Sequence, residues 1–358
     1  MATYILAIDT SCDETSVAVV DGFTVLSNVV ASQAELHKAF GGVFPTVAKQ
    51  AHKERIAPTV ELALKRAQIS RSELSAIAVT QGPGLAPALE IGIEYAKLLA
   101  QELRLPLIPV NHIEGHILSV LAQPRVRISS TTAQNALQFP VLSLIISGGH
   151  TEFVLVRGYG QYERVGWTVD DAAGEALDKF GRMVDLGYPA GPVVEEFAKE
   201  GNPNKYQFPL PMTTSGNFNM SFSGLKTAAR KKVEELSADH VLTKQEVFDL
   251  CASFQYAVFH AITYKLNKFL QKYYAEHGDN TLFGVWLGGG VAANMKLRTM
   301  LRQTLKPYGL SLKTPYNKRL CGDNGAMIGV VASTILRREQ VPIYTGTPLE
   351  RVPNLSIT

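Results

Sequence analysis

Short runs rich in apolar and β-branched residues open the chain, and they predict strands over residues 4–8, 16–21 and 24–30. The first two are joined by a polar turn, Asp9-Thr10-Ser11-Cys12-Asp13-Glu14-Thr15. From residue 45 to about 68 the apolar spacing becomes helical, with Ala, Leu and Lys dominating. Residues 76–81 return to a strand pattern, and Gly82-Pro83-Gly84 marks a turn. Residues 85–103 read as helix, and a short strand at 107–111 delivers the chain to His112.

The second half repeats this order. Strands are predicted at 141–147, 151–157 and 162–168, the first pair flanking the turn Gly148-Gly149-His150. Helices follow at 172–186 and 191–199, then a long one from 245 to about 277. Residues 282–287 read as strand, Gly288-Gly289-Gly290 as turn, 294–308 as helix, 311–314 as strand and 324–338 as the last helix. The stretch 124–140 is polar, with Ser129-Ser130-Thr131-Thr132 at its centre, and reads as a connection. Two copies of β-β-β-α-β-α predict an α/β protein of two similar subdomains around a cleft. The expected division is 1–123, a linker at 124–140, and 141–358 with a helical insertion, its last residues packing back on the first subdomain.

Composition narrows the picture. The chain has 358 residues, 46% apolar and 19% charged, which suits a soluble two-domain protein. Cys12, Cys251 and Cys321 are far apart and form no C-x-x-C pair, which argues against a disulfide framework or a thiolate zinc site. The first residues carry no basic segment and read as strand, and no apolar run is long enough to span a bilayer. A cytoplasmic address is expected. The net charge of +3 does not announce a nucleic-acid binder, but Lys226 with Arg230-Lys231-Lys232, Lys313 with Lys318-Arg319, and Arg337-Arg338 are local basic clusters.

The chemistry-bearing patterns are few. His112-Ile113-Glu114-Gly115-His116 puts two imidazoles on one helix face, where they can share a metal. Glu114 falls roughly 200° around that helix from His112, so it is poorly placed to activate a metal-bound water as in H-E-x-x-H proteases. Gly115 weakens a helix interior by about 1 kcal/mol relative to Ala. Solvated or capping histidines are the bland alternative. Ser147-Gly148-Gly149-His150-Thr151 offers open backbone N–H groups and two hydroxyls, a design that favours anion binding over a plain hairpin turn. Asp170 and Asp171 suit the cap and first turn of a helix, whereas Asp178 lies too deep for that role. The loop 187–192 leads into a helix near Glu195 and could close over a ribose. Asp323 can be the cap of the last helix or a metal ligand.

The duplicated order, with Asp9-Thr10-Ser11, Ser147-Gly148-Gly149 and Gly288-Gly289-Gly290 at corresponding turns, resembles the actin/hexokinase/Hsp70 (ASKHA) superfamily. Within it, the ordered set of the residue 8–15 turn, Gly82-Pro83-Gly84-Leu85, His112 to His116, Ser147 to Thr151, Asp170 to Asp178, Ser221-Phe222-Ser223-Gly224-Leu225-Lys226-Thr227, Gly289 to Asn294 and Asp323 to Ile328 resembles the TsaD family. These are tRNA N6-adenosine threonylcarbamoyltransferases, formerly called O-sialoglycoprotein endopeptidases, and the form is the bacterial or organellar one. The resemblance implies transfer of a threonylcarbamoyl group from threonylcarbamoyl-AMP to N6 of the adenosine 3′ of the anticodon. By resemblance His112, His116 and Asp323 fall on the ligands of an iron or zinc ion. Ile145, Ile146, Ser147, Gly148 and Gly149 fall on a substrate-contacting stretch. Asp178, Gly191, Glu195 and Asn294 fall on positions near the adenylate, which could also be ATP or ADP.

The implied partners are tRNA, a separate synthase that makes the adenylate, and either an inactive paralogue with a P-loop ATPase or a second copy of the chain; no membrane is implied. Thr46 stands where many relatives carry glutamate, Ala190 replaces a glycine, and Pro87 stands where glycine is common. Two alternatives remain at this level: a non-catalytic nucleotide-binding scaffold of the same fold, and a metal-dependent glycoprotein endopeptidase.

Overall fold

The apolar runs become strands because their side chains are buried on both faces. In β1 (Tyr4–Asp9) and β2 (Glu14–Asp21) all but the outermost positions are buried, the pattern of a sheet covered by helices. The computed structural model describes residues 2–38, 40–125 and 137–357. The expected centre of the connection, Ser129 to Thr132, lies outside these residues. The chain divides into two compact units, Met1–Leu137 with Thr314–Thr358, and Gln138–Lys313.

In the first unit β1 and β2 are followed by β3 (Thr24–Ser32), α1 (Ala34–Lys38), α2 (Pro45–Ala67), β4 (Leu74–Gly82), α3 (Ala86–Leu103), β5 (Leu107–Asn111), α4 (His112–Leu118) and β6 (Gln123–Pro124). In the second come β7 (Val141–Ile146), β8 (Thr151–Gly158), β9 (Gln161–Trp167), α5 (Ala173–Met183), α6 (Gly191–Ala198), α7 (Ser223–Leu236), α8 (Lys244–His277), β10 (Val285–Gly288), α9 (Met295–Leu305) and β11 (Leu312–Lys313). The last helix, α10 (Gly325–Arg338), returns to the first unit.

The two sheets have the same plan. Their orders are β5-β4-β1-β2-β3-β6 and β11-β10-β7-β8-β9, with the first three strands of each unit antiparallel and the next two added in parallel. The duplication expected from the hydrophobic pattern is therefore a duplication of topology. Leu6, Ile8, Val17, Val19, Ile77, Val79 and Leu89 sit at the centre of the first core.

The division falls in a different place from the sequence expectation. The sequence places residues 314–358 in the second subdomain with only its last residues packing back on the first, whereas the whole stretch groups with the first unit. The reason is steric as much as hydrophobic. An added Cβ at Gly325 would lie 2.7 Å from Ala18 N and Ala7 O, and one at Gly329 would lie 2.7 Å from Val20 Cγ2. These two glycines, one turn apart, let α10 lie directly on β1 and β2. Gly325 N also donates to Ser16 Oγ at 2.8 Å, fixing the start of the helix.

Candidate metal centre

Asn111 ends β5 and caps α4, its side-chain oxygen accepting from Ile113 N at 2.8 Å and Glu114 N at 3.3 Å. The helix therefore begins at His112, and both histidines are buried at 5% and 0% exposure, not solvated or capping. Their rings lie 4.7 Å apart, nearly perpendicular.

Gly115 has a purpose that helix propensity does not show. A Cβ there would lie 3.1 Å from Met327 Cγ and 3.2 Å from Ile328 Cδ1, both on α10. Its absence lets α10 close on α4, and Asp323 stands two residues before the start of α10. The helix cap is Asn324, which accepts from Met327 N at 3.1 Å, so Asp323 is released from that task. Its Oδ1 lies 3.2 Å from His116 Nε2 and 3.5 Å from His112 Nε2. One donor atom from each of His112, His116 and Asp323 lies within 4.8 Å of the others. All three belong to the first unit.

The chemistry of this cluster fits a cation. Buried His116 Nε2, like His112 Nδ1 and His116 Nδ1, has no hydrogen-bond partner, a costly state for a desolvated polar atom that a cation on His116 Nε2 would relieve there. Asp9, fully buried at the end of β1, brings a second carboxylate 3.7 Å from His112 Nδ1. That carboxylate is held by Thr80 Oγ1 at 2.6 Å and Ser11 Oγ at 3.2 Å. Excess negative charge also shows in the neighbouring groups. Burial, then Asp13 and Asp323, push the Glu14 carboxyl well above the usual carboxylate range. Burial and the same acids push the Cys12 thiol up, so it stays protonated. Two neutral imidazoles, a carboxylate and a surplus of negative charge suit a divalent ion of borderline softness.

His112 responds to the same field. Burial would lower its pKa, but the carboxylates of Asp323 and Asp9 outweigh it and raise the value from 6.5 to about 9. In the metal-free protein, protonated His112 therefore contributes stability that is complete below about pH 6.5 and lost as pH rises through about 9. Glu14, also shifted upward, loses stability in the same direction. The metal-free melting midpoint is thus expected to fall between pH 6.5 and 9, and divalent metal, which takes neutral imidazole, to abolish the His112 part of that fall. A midpoint flat over this range by calorimetry would contradict the electrostatics.

His52 is biased toward its neutral form by its surroundings. Burial lowers its pKa, Nε2 donates to Cys12 O at 2.9 Å, and Nδ1 accepts from Thr15 Oγ1 at 2.8 Å, a tautomer assigned from these partners. It braces the turn that carries Asp9 to Glu14. Neither His52 nor the role of Asp9 as neighbour of His112 follows from sequence, because both depend on contacts across 40 or more residues.

In the second unit the turn after β7 is built as expected. Ser147 N donates to His150 O at 2.8 Å, and Ser147 Oγ accepts from His150 N at 3.0 Å. Gly148, Gly149 and Gly290 face open space at their missing Cβ positions. Gly174, at the start of α5, donates to Ser147 O at 3.1 Å, so the turn abuts a helix N-terminus. Ile145 and Ile146 are fully buried, so only their backbone can face a ligand. Asp178 Oδ1 accepts from Ala190 N and Gly191 N, each at 2.8 Å, and thereby shapes the start of α6. Glu195 Oε1 accepts from Met295 N at 2.8 Å, and Asn294 caps α9 while its Nδ2 donates to Gln255 Oε1 at 2.7 Å. These three side chains fix the starts of α6 and α9.

The acidic pair does not cap α5, whose cap position is Ala172. Asp170 accepts instead from Phe222 N at 2.7 Å and Ser223 N at 3.3 Å, capping α7, and also from Ser221 Oγ. Asp171 pairs with Lys179 at 2.9 Å and with Lys226. Of the three departures, Ala190 adopts a right-handed φ of −90° and is buried, so the position needs no glycine. Pro87 lies in the first turn of α3, where its missing N–H costs nothing, and Thr46 is exposed.

Comparison with known proteins gives a consistent result. Residues 24–330 match the model of the family described as TsaD: tRNA N6-adenosine threonylcarbamoyltransferase. A tRNA N6-adenosine threonylcarbamoyltransferase of Chelativorans sp. (strain BNC1) is 44% identical over 91% of this chain and 87% of its own. One of Trichlorobacter lovleyi is 43% identical over 93% of this chain and 91% of its own. Among solved structures, the HypF of T. kodakarensis superposes with a TM-score of 0.61 at 16% identity, over 94% of this chain and 48% of that one. Component A of the Acidaminococcus fermentans (R)-2-hydroxyglutaryl-CoA dehydratase does so with a TM-score of 0.52 at 14% identity, over 94% of this chain and all of that one. At such identities these likenesses speak for the fold alone, a duplicated ASKHA-like α/β fold.

Proposed function

The chain belongs to the tRNA N6-adenosine threonylcarbamoyltransferase family, and from that premise we propose how its residues divide the work. The reaction moves a threonylcarbamoyl group from threonylcarbamoyl-AMP to N6 of the adenosine 3′ of the anticodon, in tRNAs that read codons beginning with A. The buried cluster of His112, His116 and Asp323, with its orphaned imidazole nitrogens, is the observation that carries the site assignment.

The donor is a mixed anhydride, already activated, so the protein's task is orientation and charge stabilisation. His112, His116 and Asp323 would hold one divalent ion, iron or zinc, which when bound supplies Lewis-acid polarisation and a template for the threonyl and carbamoyl oxygens. Asp9 would add a second negative charge beside the ion, its carboxylate 3.7 Å from His112 Nδ1. In the second unit the Ser147–Gly149 backbone, with the N-terminus of α5, would receive the phosphate that leaves as AMP. Ile145 and Ile146 would contribute backbone only. Asp178, Gly191, Glu195 and Asn294 would set the loops that hold the nucleoside. Glu114 has no part in proton transfer in this account.

The partners follow the family: tRNA, a separate synthase for the adenylate, and a paralogue with a P-loop ATPase or a second copy of this chain. No helix among the described residues is long and apolar enough to cross a membrane, and a cytoplasmic setting agrees with a tRNA substrate. Incubating the protein with threonylcarbamoyl-AMP and unmodified tRNA, with and without those partners, tests the reading. Modified adenosine, detected by mass spectrometry of digested tRNA, is expected; its absence under every combination contradicts it.

The tRNA must also reach the cluster. Lys318 and Arg319 are exposed on the loop that ends at Asp323, beside Tyr316 at 48% exposure. An aromatic ring with flanking cations suits a looped-out base and its phosphates. Charge reversal at both (Lys318→Glu with Arg319→Glu) is expected to weaken tRNA binding at least tenfold. It should lower the salt slope of log Kd by about 2, one for each lost phosphate contact. Unchanged filter-binding curves would remove this loop from the tRNA path.

A further inference from the structure

The turn Gly82-Pro83-Gly84 and the residues after α10 have no part in the chemistry above, yet they pack together against Asn111 and Ser11, neighbours of the metal cluster. Residues 350–356 run along the ends of β4 and β5. Val352 N donates to Gln81 O at 2.9 Å, Gln81 Nε2 donates to Glu350 O at 3.1 Å, and Gly84 N donates to Pro353 O at 3.1 Å. An inner turn, Leu355 N to Val352 O at 3.0 Å, brings the segment round so that Asn111 Nδ2 donates to Ser356 O at 2.9 Å. Gly82 permits this approach, because any Cβ there would collide with the Val352 carbonyl and meet Leu355 Cβ at 3.3 Å.

Both ends of this strap touch parts that set the cluster. On one side Asn111 is the cap of α4, and its amide is used twice: Oδ1 accepts from Ile113 N and Glu114 N, while Nδ2 is anchored to the strap. A freely rotating amide could turn its oxygen away; one whose nitrogen is tied cannot. On the other side Leu85 N donates to Ser11 O at 2.8 Å, and a Cβ at Gly84 would lie 2.6 Å from that same oxygen. The turn gripped by the strap thus seats Ser11, whose hydroxyl holds Asp9 opposite His112.

We propose that the strap of residues 350–356 and its partner Asn111 are positioning elements of the metal centre, fixing the start of α4 and so the two imidazoles. The proposal rests on the reading that His112, His116 and Asp323 hold a metal. Outer partners that orient metal ligands are worth about 10- to 100-fold in affinity, which sets the expected size of the effect.

The test uses full-length protein, freed of metal, with cobalt(II) as the probe and its visible ligand-field bands as the readout. Asn111→Ser keeps a cap oxygen but loses the donor to Ser356 O. Val352→Pro removes the N–H that pairs with Gln81 O, at a residue already 37% exposed. Each is expected to weaken cobalt binding about tenfold and to alter the band intensities. The double variant should be no weaker than the poorer single, because both cut one linkage. Val352→Ala, which keeps the N–H, should bind as the parent does. Parent-like affinity and spectra in Asn111→Ser and Val352→Pro, or losses that add, would overturn the strap proposal. Failure of the parent protein to bind cobalt at all would instead refute the metal reading beneath it.

Discussion

Replacing His116 by alanine is expected to abolish stoichiometric metal and to reduce threonylcarbamoyl transfer by about a thousandfold. The magnitude follows from the several kcal/mol of charge stabilisation that a bound metal contributes, at about 1.4 kcal/mol for each factor of ten. His116 is fully buried and its Nε2 lies 3.2 Å from Asp323 Oδ1, so no other side chain can take its place without moving α4. Removing the ring also leaves a cavity, which costs roughly 2–4 kcal/mol by analogy with large-to-small core changes. The loss of function must therefore be read on folded protein: circular dichroism to establish the fold, elemental analysis for metal, and mass spectrometry for modified adenosine. Retention of activity by a folded, metal-poor His116→Ala protein would remove the cluster from the reaction.

Gly325→Val is expected to be the most damaging single change outside the cluster. The first atom of the new side chain would lie 2.7 Å from Ala18 N and Ala7 O and 3.0 Å from Val17 C, all backbone of β1 and β2. Backbone in the centre of a sheet cannot give way as a side-chain tip can, so the cost should reach or exceed about 3 kcal/mol. Displacement of α10 also carries Asp323 away from the histidines, so metal affinity should fall with stability. Gly329→Ala offers the contrast. Its nearest atoms are Val20 Cγ2 at 2.7 Å and Cγ1 at 2.9 Å, side chain rather than sheet backbone, so a smaller cost of about 1–3 kcal/mol is expected. Gly148→Ala meets nothing within 4 Å and should be close to neutral for stability. Thermal melts of the three proteins check the order; a tolerant Gly325 would mean that α10 does not sit where the structure puts it.

These contrasts show what the sequence made legible. Most strands and helices could be placed within a few residues because short continuous apolar runs alternate with helical 3.6-residue spacing, and the duplication emerged from their order, but α7 was not foreseen. The histidine pair was legible because its spacing is local. What stayed hidden depended on contacts distant in sequence. Gly115 reads as a weak point of a helix until Met327 and Ile328 are packed against it. Asp323 and Asn324 are adjacent residues of equal capping aptitude, and only the fold shows Asn324 taking the cap. Asp170 looks like the cap of the nearer helix and serves a helix some fifty residues further on. Residues 314–358 follow the second sheet in the chain but belong to the first unit, held there by glycine contacts that no periodicity reveals.

The central claim is that the cluster of His112, His116 and Asp323 holds the ion on which threonylcarbamoyl transfer depends. Titrating iron(II) or zinc(II) into metal-free protein, while measuring bound metal and modified adenosine in the same samples, tests it most directly. Activity should rise in proportion to occupancy and saturate at one ion per chain. Full activity in the metal-free protein, or saturation of the site with no gain in tRNA modification, would contradict it.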